Sequence, residues 1–359
     1  MLPPTEAGAR PRHESACLIV ARNLGDAVIQ SLFFRDLIAR GFAKRYVVWT
    51  RPQVAFLYEG LPECEVVTSQ FPVGTSKQFD RHTAPEFLRA AARLRRMRLA
   101  VTIDLIGDFR ERLFARFAGA REHLHIGWAP GHPFARLIRN PFGTGLPTWT
   151  VPSNHQNVYA AHTELLDALV APPPRDTATS VRAGPAAPPR PARIGVHPFA
   201  SQDCRKWPAG DWTRLVGQLL DNGAEVTAFG ADSDQPALEI MFAAFGVRVR
   251  IVTVSIPAFA QELSRLHLLV GLDSFSVHMA EKVGIASVML NGASNPVLFS
   301  PPHAQVLSSS GGCAAWPCYN KPICVGGAAQ YVCIRSIGID SVCQAVERAL
   351  AGSAPADDL

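Results

Sequence analysis

Short apolar runs alternate with longer helical patterns along most of this 359-residue chain. Cys17–Ala21, Tyr46–Thr50 and Leu268–Leu272 are too short for core helices and have the apolar composition of buried strands. Longer stretches with a helical pattern, such as Ala27–Ala39, lie between such runs. Strands that alternate with helices predict parallel βαβ units, and therefore an α/β fold with Rossmann-like sheets.

A proline-rich segment, residues 171–193, interrupts this alternation. Neither a helix nor a central strand tolerates so many prolines, so the segment is predicted to be a semi-rigid linker. The predicted organisation is a flexible tail (1–15), a first domain (16–170), the linker (171–193), a second domain (194–350) and a tail (351–359). Two Rossmann-like domains facing each other would leave a cleft at the carboxyl ends of their strands, where such sheets bind ligands.

Net charge and apolar runs indicate which kinds of ligand and which cellular location to expect. The formal net charge is only +5, which does not indicate a nucleic-acid-binding protein but suits an acidic small ligand. The first fifteen residues lack the apolar segment of a secretory signal, and we find no run of 18 uncharged apolar residues. We therefore expect a cytoplasmic protein, with peripheral association at the inner face of a membrane left open.

The first strand is followed by Asn23, Leu24, Gly25 and Asp26. Glycine suits a tight strand-to-helix turn, and a carboxylate just beyond it can take a proton from an attacking hydroxyl. The alternative is that Asp26 only caps the next helix.

The loop His197–Pro208 offers hydroxyl and cationic side chains at the end of another strand. Ser201, Arg205 and Lys206 suit a phosphate group, whereas the alternative is a solvated basic loop anchored by Trp207.

Two further strands end in acidic residues. Asp273 and Ser274 open a helix whose N-terminus suits an anion, and His278 shares a face with Ser274. The alternative is a capping aspartate and a half-buried core histidine. Asp232 follows the strand that ends at Phe229, a position from which a carboxylate can bind ribose hydroxyls.

Five of the eight cysteines fall between Cys313 and Cys343. Cys313, Cys318, Cys324 and Cys333 supply enough thiols for a tetrahedral zinc or iron site. The alternative is a set of packed thiols, because free cysteine behaves as a small hydrophobe.

An arginine-rich helix is predicted over residues 85–99. Arg89, Arg93 and Arg96 share one face of it, and we interpret that face as favouring an anionic acceptor. A solvated outer surface is the alternative.

In this order and spacing, these segments resemble the heptosyltransferase family, glycosyltransferase family 9, which has the GT-B fold. The similar motifs are Asn23–Asp26, Asp104–Arg110, Ile126–Trp128, His197–Pro208, Phe229–Asp234, Asp273–Ala280 and the cysteine run Cys313 to Ile337. The similarity spans roughly residues 16–350.

The resemblance implies an inverting, metal-independent transfer of a heptose-type sugar from a nucleotide-sugar, ADP-heptose by preference, to lipopolysaccharide or another anionic cell-surface glycan or glycolipid. Asp26 becomes the general base, and Asn23 and Arg110 bind the acceptor. The donor is bound by the residues on the second-domain loops: Ser201, Arg205, Lys206, Asp232, Asp273, Ser274 and His278. The alternatives are a GT-B enzyme with another nucleotide-sugar donor, and a catalytically weak nucleotide-sugar-binding scaffold.

This sequence departs from the family pattern at three positions. Asn23 replaces a serine, Arg205 replaces a lysine, and Phe275 stands where the family has a glycine. The Phe275 ring either narrows the donor site or turns toward the core, where Leu272 and Val277 offer apolar packing. Burial of an aromatic ring favours the second outcome.

Overall fold

The structure is a computed structural model. It describes residues 13–73, 80–107, 109–128, 132, 148–170, 191–318 and 322–352. The chain divides into two compact units, unit 1 (Met1–Ala178) and unit 2 (Thr179–Leu359). The predicted linker lies almost entirely outside the described residues, as do most of both predicted tails.

Unit 1 contains a six-stranded parallel sheet with the strand order β3-β2-β1-β4-β5-β6. Its strands are β1 (Ala16–Val20), β2 (Tyr46–Thr50), β3 (Cys64–Thr68), β4 (Val101–Asp104), β5 (Glu122–Trp128) and β6 (Thr148–Ser153). Its helices are α1 (Leu24–Ala39), α2 (Ala84–Arg96), α3 (Phe109–Ala118) and α4 (Val158–Leu169).

Unit 2 contains a second six-stranded parallel sheet, with the order β12-β11-β10-β7-β8-β9. Its strands are β7 (Arg193–His197), β8 (Glu225–Gly230), β9 (Val249–Thr253), β10 (Leu268–Leu272), β11 (Ala286–Asn291) and β12 (Ala304–Ser308). Its helices are α5 (Ala209–Asp221), α6 (Gln235–Phe242), α7 (Ile256–Leu263), α8 (Phe275–Val283), α9 (Val332–Arg335) and α10 (Ile339–Leu350).

The two sheets share one topology. Counted within its own unit, each has the strand order 3-2-1-4-5-6 of a Rossmann fold, which confirms the predicted fold class. In both, the order reverses between the first and fourth strands, which lie side by side: β1 beside β4, and β7 beside β10. The loops that leave these two strands diverge to opposite sides, so each reversal point opens a crevice at the carboxyl edge.

Burial on both faces explains the sequence of the central strands. All five residues of β1 are buried, as are all five of β2 and of β10. Helices cover both faces of a parallel sheet, so these strands are continuous apolar runs rather than alternating ones. In unit 1 the aromatic rings of Trp49, Phe87 and Phe114 pack together on one face.

Within the described residues, no helix combines the length and the apolar character needed to cross a membrane.

Gly195 in β7 is so closely packed that adding a single methyl group there should lower the stability of the protein. A Cβ at Gly195 would lie 2.7 Å from Leu266 Cδ1 and 3.0 Å from Phe229 Cε2. We expect Gly195→Ala to lower the free energy of unfolding by about 1–3 kcal/mol, because an overpacked core must distort. Thermal and urea unfolding of the full chain measure this.

Gly210, in the first turn of α5, is the matched control, because a Cβ there meets nothing within 4 Å. Gly210→Ala should leave stability unchanged or raise it by up to about 1 kcal/mol. Equal effects of the two substitutions would contradict the packing argument.

Candidate functional site

Most of the predicted site residues lie at the reversal points of the two sheets. In unit 1, Asn23 and Asp26 follow β1, and Arg110 follows β4. In unit 2, Arg205 follows β7 and Asp273 follows β10. Each unit therefore gathers candidate side chains from its first and fourth strands at the edge where Rossmann-like sheets bind ligands.

Asp26 is the third residue of α1 and is partly exposed. Asn23 occupies the N-cap position, so the alternative that Asp26 is the capping residue is wrong. The expected tight turn at Gly25 is also wrong: Gly25 lies inside the helix, and no positive φ is found there. The first turn of a helix favours negative charge, so a carboxylate is stabilised at the position of Asp26.

Charged groups that the sequence analysis did not select surround Asp26. Arg51 follows β2 and donates a hydrogen bond to the main-chain oxygen of Arg22. Burial lowers the pKa of Arg51, while the negative charge of Asp26 raises it. Arg22 in turn lies 3.6 Å from the Glu111 carboxylate, which is only 2% exposed. Asp26 therefore belongs to a network of buried and half-buried charges whose members follow β1, β2 and β4 in the sequence.

Asp104 has a structural role at the end of β4. Its Oδ1 accepts the backbone N–H groups of Ile106 and Gly107, at 2.8 and 2.9 Å. Gly107 has a φ of 78°, the left-handed region that this turn requires. Trp128 donates its indole N–H to the main-chain oxygen of Ile106. The predicted motifs Asp104–Arg110 and Ile126–Trp128 are therefore in direct contact. The turn leads into α3, where Arg110 is partly exposed in the first turn.

The last turn of the arginine-rich helix α2 lies away from the carboxyl edge of the unit 1 sheet. Arg95 donates to the oxygen of Phe117 at the end of α3, and Arg45, just before β2, donates to the oxygen of Met97. A crossover helix runs back toward the strand beginnings, so the last arginines of α2 lie at the amino edge. The interpretation of α2 as an acceptor-binding face therefore does not hold for its last turn.

In unit 2, Arg205 is clamped against the end of β10. Its Nη1 donates to the main-chain oxygen of Asp273 at 2.9 Å and lies 3.4 Å from the Asp273 carboxylate. The two side chains are 15% and 3% exposed, so the pair is largely withdrawn from water. The loops after β7 and β10, both of which were predicted to bind the donor, therefore meet at this pair.

The N-terminus of α8 begins beside this pair. Ser274 is its N-cap, yet its side chain does not cap the helix and instead lies 3.0 Å from Ser276 Oγ. The first backbone N–H groups of α8 are therefore not capped by Ser274, as an anion site requires. His278 is buried, and burial lowers its pKa to about 4, so the ring is neutral at pH 7. It can offer a hydrogen bond there but not a positive charge.

Three other predicted donor-binding residues are not brought into this cluster. Lys206 pairs with Asp203 at 2.8 Å, and both side chains are well exposed. Ser201 and Asp232 are exposed on their own loops. Asp234 was missed: its carboxylate accepts the N–H of Ala231 at 2.9 Å and closes the turn after β8.

The Phe275 ring packs against core groups. It lies 5.3 Å from the buried ring of Phe259 and 5.5 Å from that of His197, centroid to centroid. Phe259 also contacts Phe229 beneath β8. The geometry agrees with the second of the two predicted outcomes, in which the ring turns toward the core.

The four predicted cysteine ligands make different contacts. Cys324 Sγ accepts the N–H of Tyr331 at 3.4 Å. Burial raises the pKa of Cys333, and the Cys318 and Cys313 thiols raise it further, whereas backbone hydrogen bonds lower it. Across the described part of the chain, no group of three or more His, Cys, Asp or Glu side chains is arranged to hold a metal ion. Metal binding by the four predicted cysteines stays a prediction.

The Phe275 contacts can be tested through stability. We expect Phe275→Gly to lower the free energy of unfolding by about 1–3 kcal/mol, because a half-buried aromatic ring is lost and a glycine enters a helix. Phe275→Leu is the control and should retain most of the stability. Isothermal titration with nucleotide should give nearly the same affinity for all three proteins. Markedly tighter binding by the glycine variant would show instead that the ring obstructs the site.

Comparison with protein families gives one match. Residues 169–325 match the model for glycosyltransferase family 9 (heptosyltransferase). No curated protein is similar enough in sequence to count as a relative.

Solved structures share the fold along nearly the whole chain. A glycosyl transferase of family 9 from Veillonella parvula is 17% identical, with a TM-score of 0.69, and the match covers 95% of this chain and 98% of that one. E. coli heptosyltransferase WaaC, solved with ADP, is 14% identical, with a TM-score of 0.68 and coverage of 93% and 99%.

The iron-containing dodecameric glycosyltransferase TibC from enterotoxigenic E. coli is 13% identical. Its TM-score is 0.53, and the match covers 94% of this chain and 76% of TibC. At these identities the likeness shows the fold alone. The resemblance to the heptosyltransferase family that the motifs predicted is therefore confirmed, by the family model over residues 169–325 and by the shared fold over the described parts of both units.

Proposed function

We propose that this protein is a glycosyltransferase that moves a heptose-type sugar from a nucleotide-sugar to lipopolysaccharide or another cell-surface glycan. The observation that carries the proposal is the clamp of Arg205 on Asp273 beside the N-terminus of α8. A fixed guanidinium next to backbone N–H groups matches the oxygens of a diphosphate. WaaC was solved with ADP and with an ADP-2-deoxy-2-fluoro heptose, so ADP-heptose is the first donor to test.

The chemistry follows from the two reversal points. Asp26 accepts the proton of the acceptor hydroxyl as that oxygen attacks the anomeric carbon, and the bond from that carbon to the diphosphate breaks. Negative charge that develops on the leaving diphosphate is stabilised by Arg205 and the N-terminus of α8. Attack opposite the leaving group inverts the anomeric centre, and charge stabilisation by these groups leaves no step that requires a metal ion.

On the acceptor side, Asn23 and Arg110 flank Asp26 at the same edge of unit 1. Both are accessible to an acceptor, because Asn23 is exposed and Arg110 is partly exposed. A guanidinium at this position favours a phosphorylated or acidic acceptor, and such a glycolipid acceptor would bring the protein to a membrane surface.

Product analysis tests the proposal directly. The purified chain is incubated with ADP-heptose, or with a UDP- or GDP-sugar, and a truncated lipopolysaccharide. We expect acceptor-dependent release of ADP from ADP-heptose alone. Release of UDP or GDP would favour the alternative donors, and binding without release would favour a scaffold.

Asp26 is predicted to be the general base. Asp26→Asn should lower the rate of sugar transfer by about 10²–10⁴-fold, because the proton acceptor is lost while the shape is kept. Donor affinity, measured by titration with ADP, should be unchanged. Asp36→Asn on the same helix is the control, because Asp36 is partly exposed and pairs with its neighbour Arg35. Near-normal turnover by Asp26→Asn would remove Asp26 from this role.

Arg205 and Lys206 are predicted to differ, although both were expected to bind the diphosphate. Arg205→Ala should weaken ADP binding by about tenfold or more, because a charge-assisted hydrogen bond is lost. Lys206→Ala should have little effect, because the lysine is exposed and paired with Asp203. Isothermal titration calorimetry measures both.

Arg205→Lys keeps a positive charge beside the buried Asp273 carboxylate, so this variant should fold even if Arg205→Ala does not. It should recover part of the affinity, and thermal unfolding verifies that each variant is folded. Equal losses for the Arg205 and Lys206 alanine variants would contradict the clamp as the diphosphate site.

A further inference from the structure

A cavity of about 450 Å³ lies in unit 2, lined by Arg193, Glu225, Thr227, Arg250, Arg265 and Leu266. Arg193 and Glu225 are the first residues of β7 and β8, so the cavity is at the amino edge of the sheet. Arg205 and Asp273 lie at the carboxyl edge, about 13 Å away along a five-residue strand. The cavity is therefore separate from the candidate donor site.

Two hydrogen-bond donors face each other beside this cavity. The backbone N–H of Arg193 donates to His267 Nδ1 at 3.0 Å, which places the ring proton of a neutral imidazole on Nε2. That Nε2 lies 3.4 Å from Arg193 Nη2, which also only donates. Burial and the charge of Arg193 lower the pKa of His267, partly opposed by Glu225, so the ring is neutral. Both donors are arranged to receive an oxygen atom from a third group.

Positive charge exceeds negative charge around the cavity. Arg250 and Arg265 share a single carboxylate, that of Glu262, to which both donate. Arg250 Nε also lies 3.4 Å from Thr227 Oγ1. Together with Arg193 these make three guanidinium groups for two carboxylates, Glu225 and Glu262. The surplus guanidinium charge attracts an anion.

We propose that this cavity is a second anion-binding site, which takes a phosphorylated organic molecule. Guanidinium groups match phosphate oxygens in charge and in geometry, and the Arg193–His267 pair supplies two convergent donors. The volume falls in the range of small-molecule sites, roughly 300–1,000 Å³, and greatly exceeds that of a bare phosphate ion. A sugar phosphate fits both the charge and the volume.

Calorimetric titration of the full chain tests the site, with ribose 5-phosphate and inorganic phosphate as probes. The background variant Arg205→Ala removes the guanidinium of the candidate donor site. Arg193→Ala and Arg265→Ala are then added singly. Arg214→Ala is the matched control, because Arg214 is an exposed arginine of the same unit that pairs with Asp211. Thermal unfolding shows that each protein is folded.

We expect ribose 5-phosphate to bind the Arg205→Ala protein more tightly than inorganic phosphate does. Arg193→Ala and Arg265→Ala should each weaken that binding by about tenfold, and Arg214→Ala should not. No binding, or binding that Arg193→Ala and Arg265→Ala leave unchanged, would overturn the site. Equal affinity for the two probes would overturn its assignment to an organic phosphate. Because the background lacks Arg205, failure here leaves the proposed transferase activity unaffected.

Discussion

A parallel strand cannot be followed by its neighbour without a crossover, and this constraint organises each half of the molecule. Every helix between two strands carries the chain back across a face of the sheet, so all strands end at the same edge. Where the strand order reverses, neighbouring strands send their loops to opposite sides and leave room for a ligand. The Arg205–Asp273 clamp exists because β7 and β10 are adjacent in the sheet although about 70 residues separate them in sequence.

The periodicity of the sequence was sufficient to predict the buried strands and the fold class. The bounds of β2 and β10 agree with the apolar runs, because burial on both faces leaves little choice of register. Helix beginnings were less predictable. The pattern placed the start of α1 at Ala27, whereas the helix begins at Leu24, because Gly25 and Asp26 carry no apolar signal.

The partners within the candidate site could not be predicted from local sequence. Arg51 comes from the loop after β2 and Glu111 from the first turn of α3, and only the strand order brings them near Asp26 and Arg22. Arg51 could have been selected as a candidate site residue, because it directly follows a fully buried strand, at the edge where ligands bind. Lys206 shows the converse, since its position beside Arg205 suggested a shared role that its pairing with Asp203 does not support.

Trp207 links the loop that carries Arg205 to a segment some 130 residues later in the sequence. Its indole N–H donates to the main-chain oxygen of Ile337 at 3.1 Å, and its ring packs edge-to-face on Trp212. Local opening of a protein proceeds in cooperative segments, so a loop held in this way opens together with the segment that holds it. The order of the cationic loop after β7 thus depends on residues that the ribosome adds some 130 positions later, and the loop acquires its anchor only after Ile337 has been synthesised.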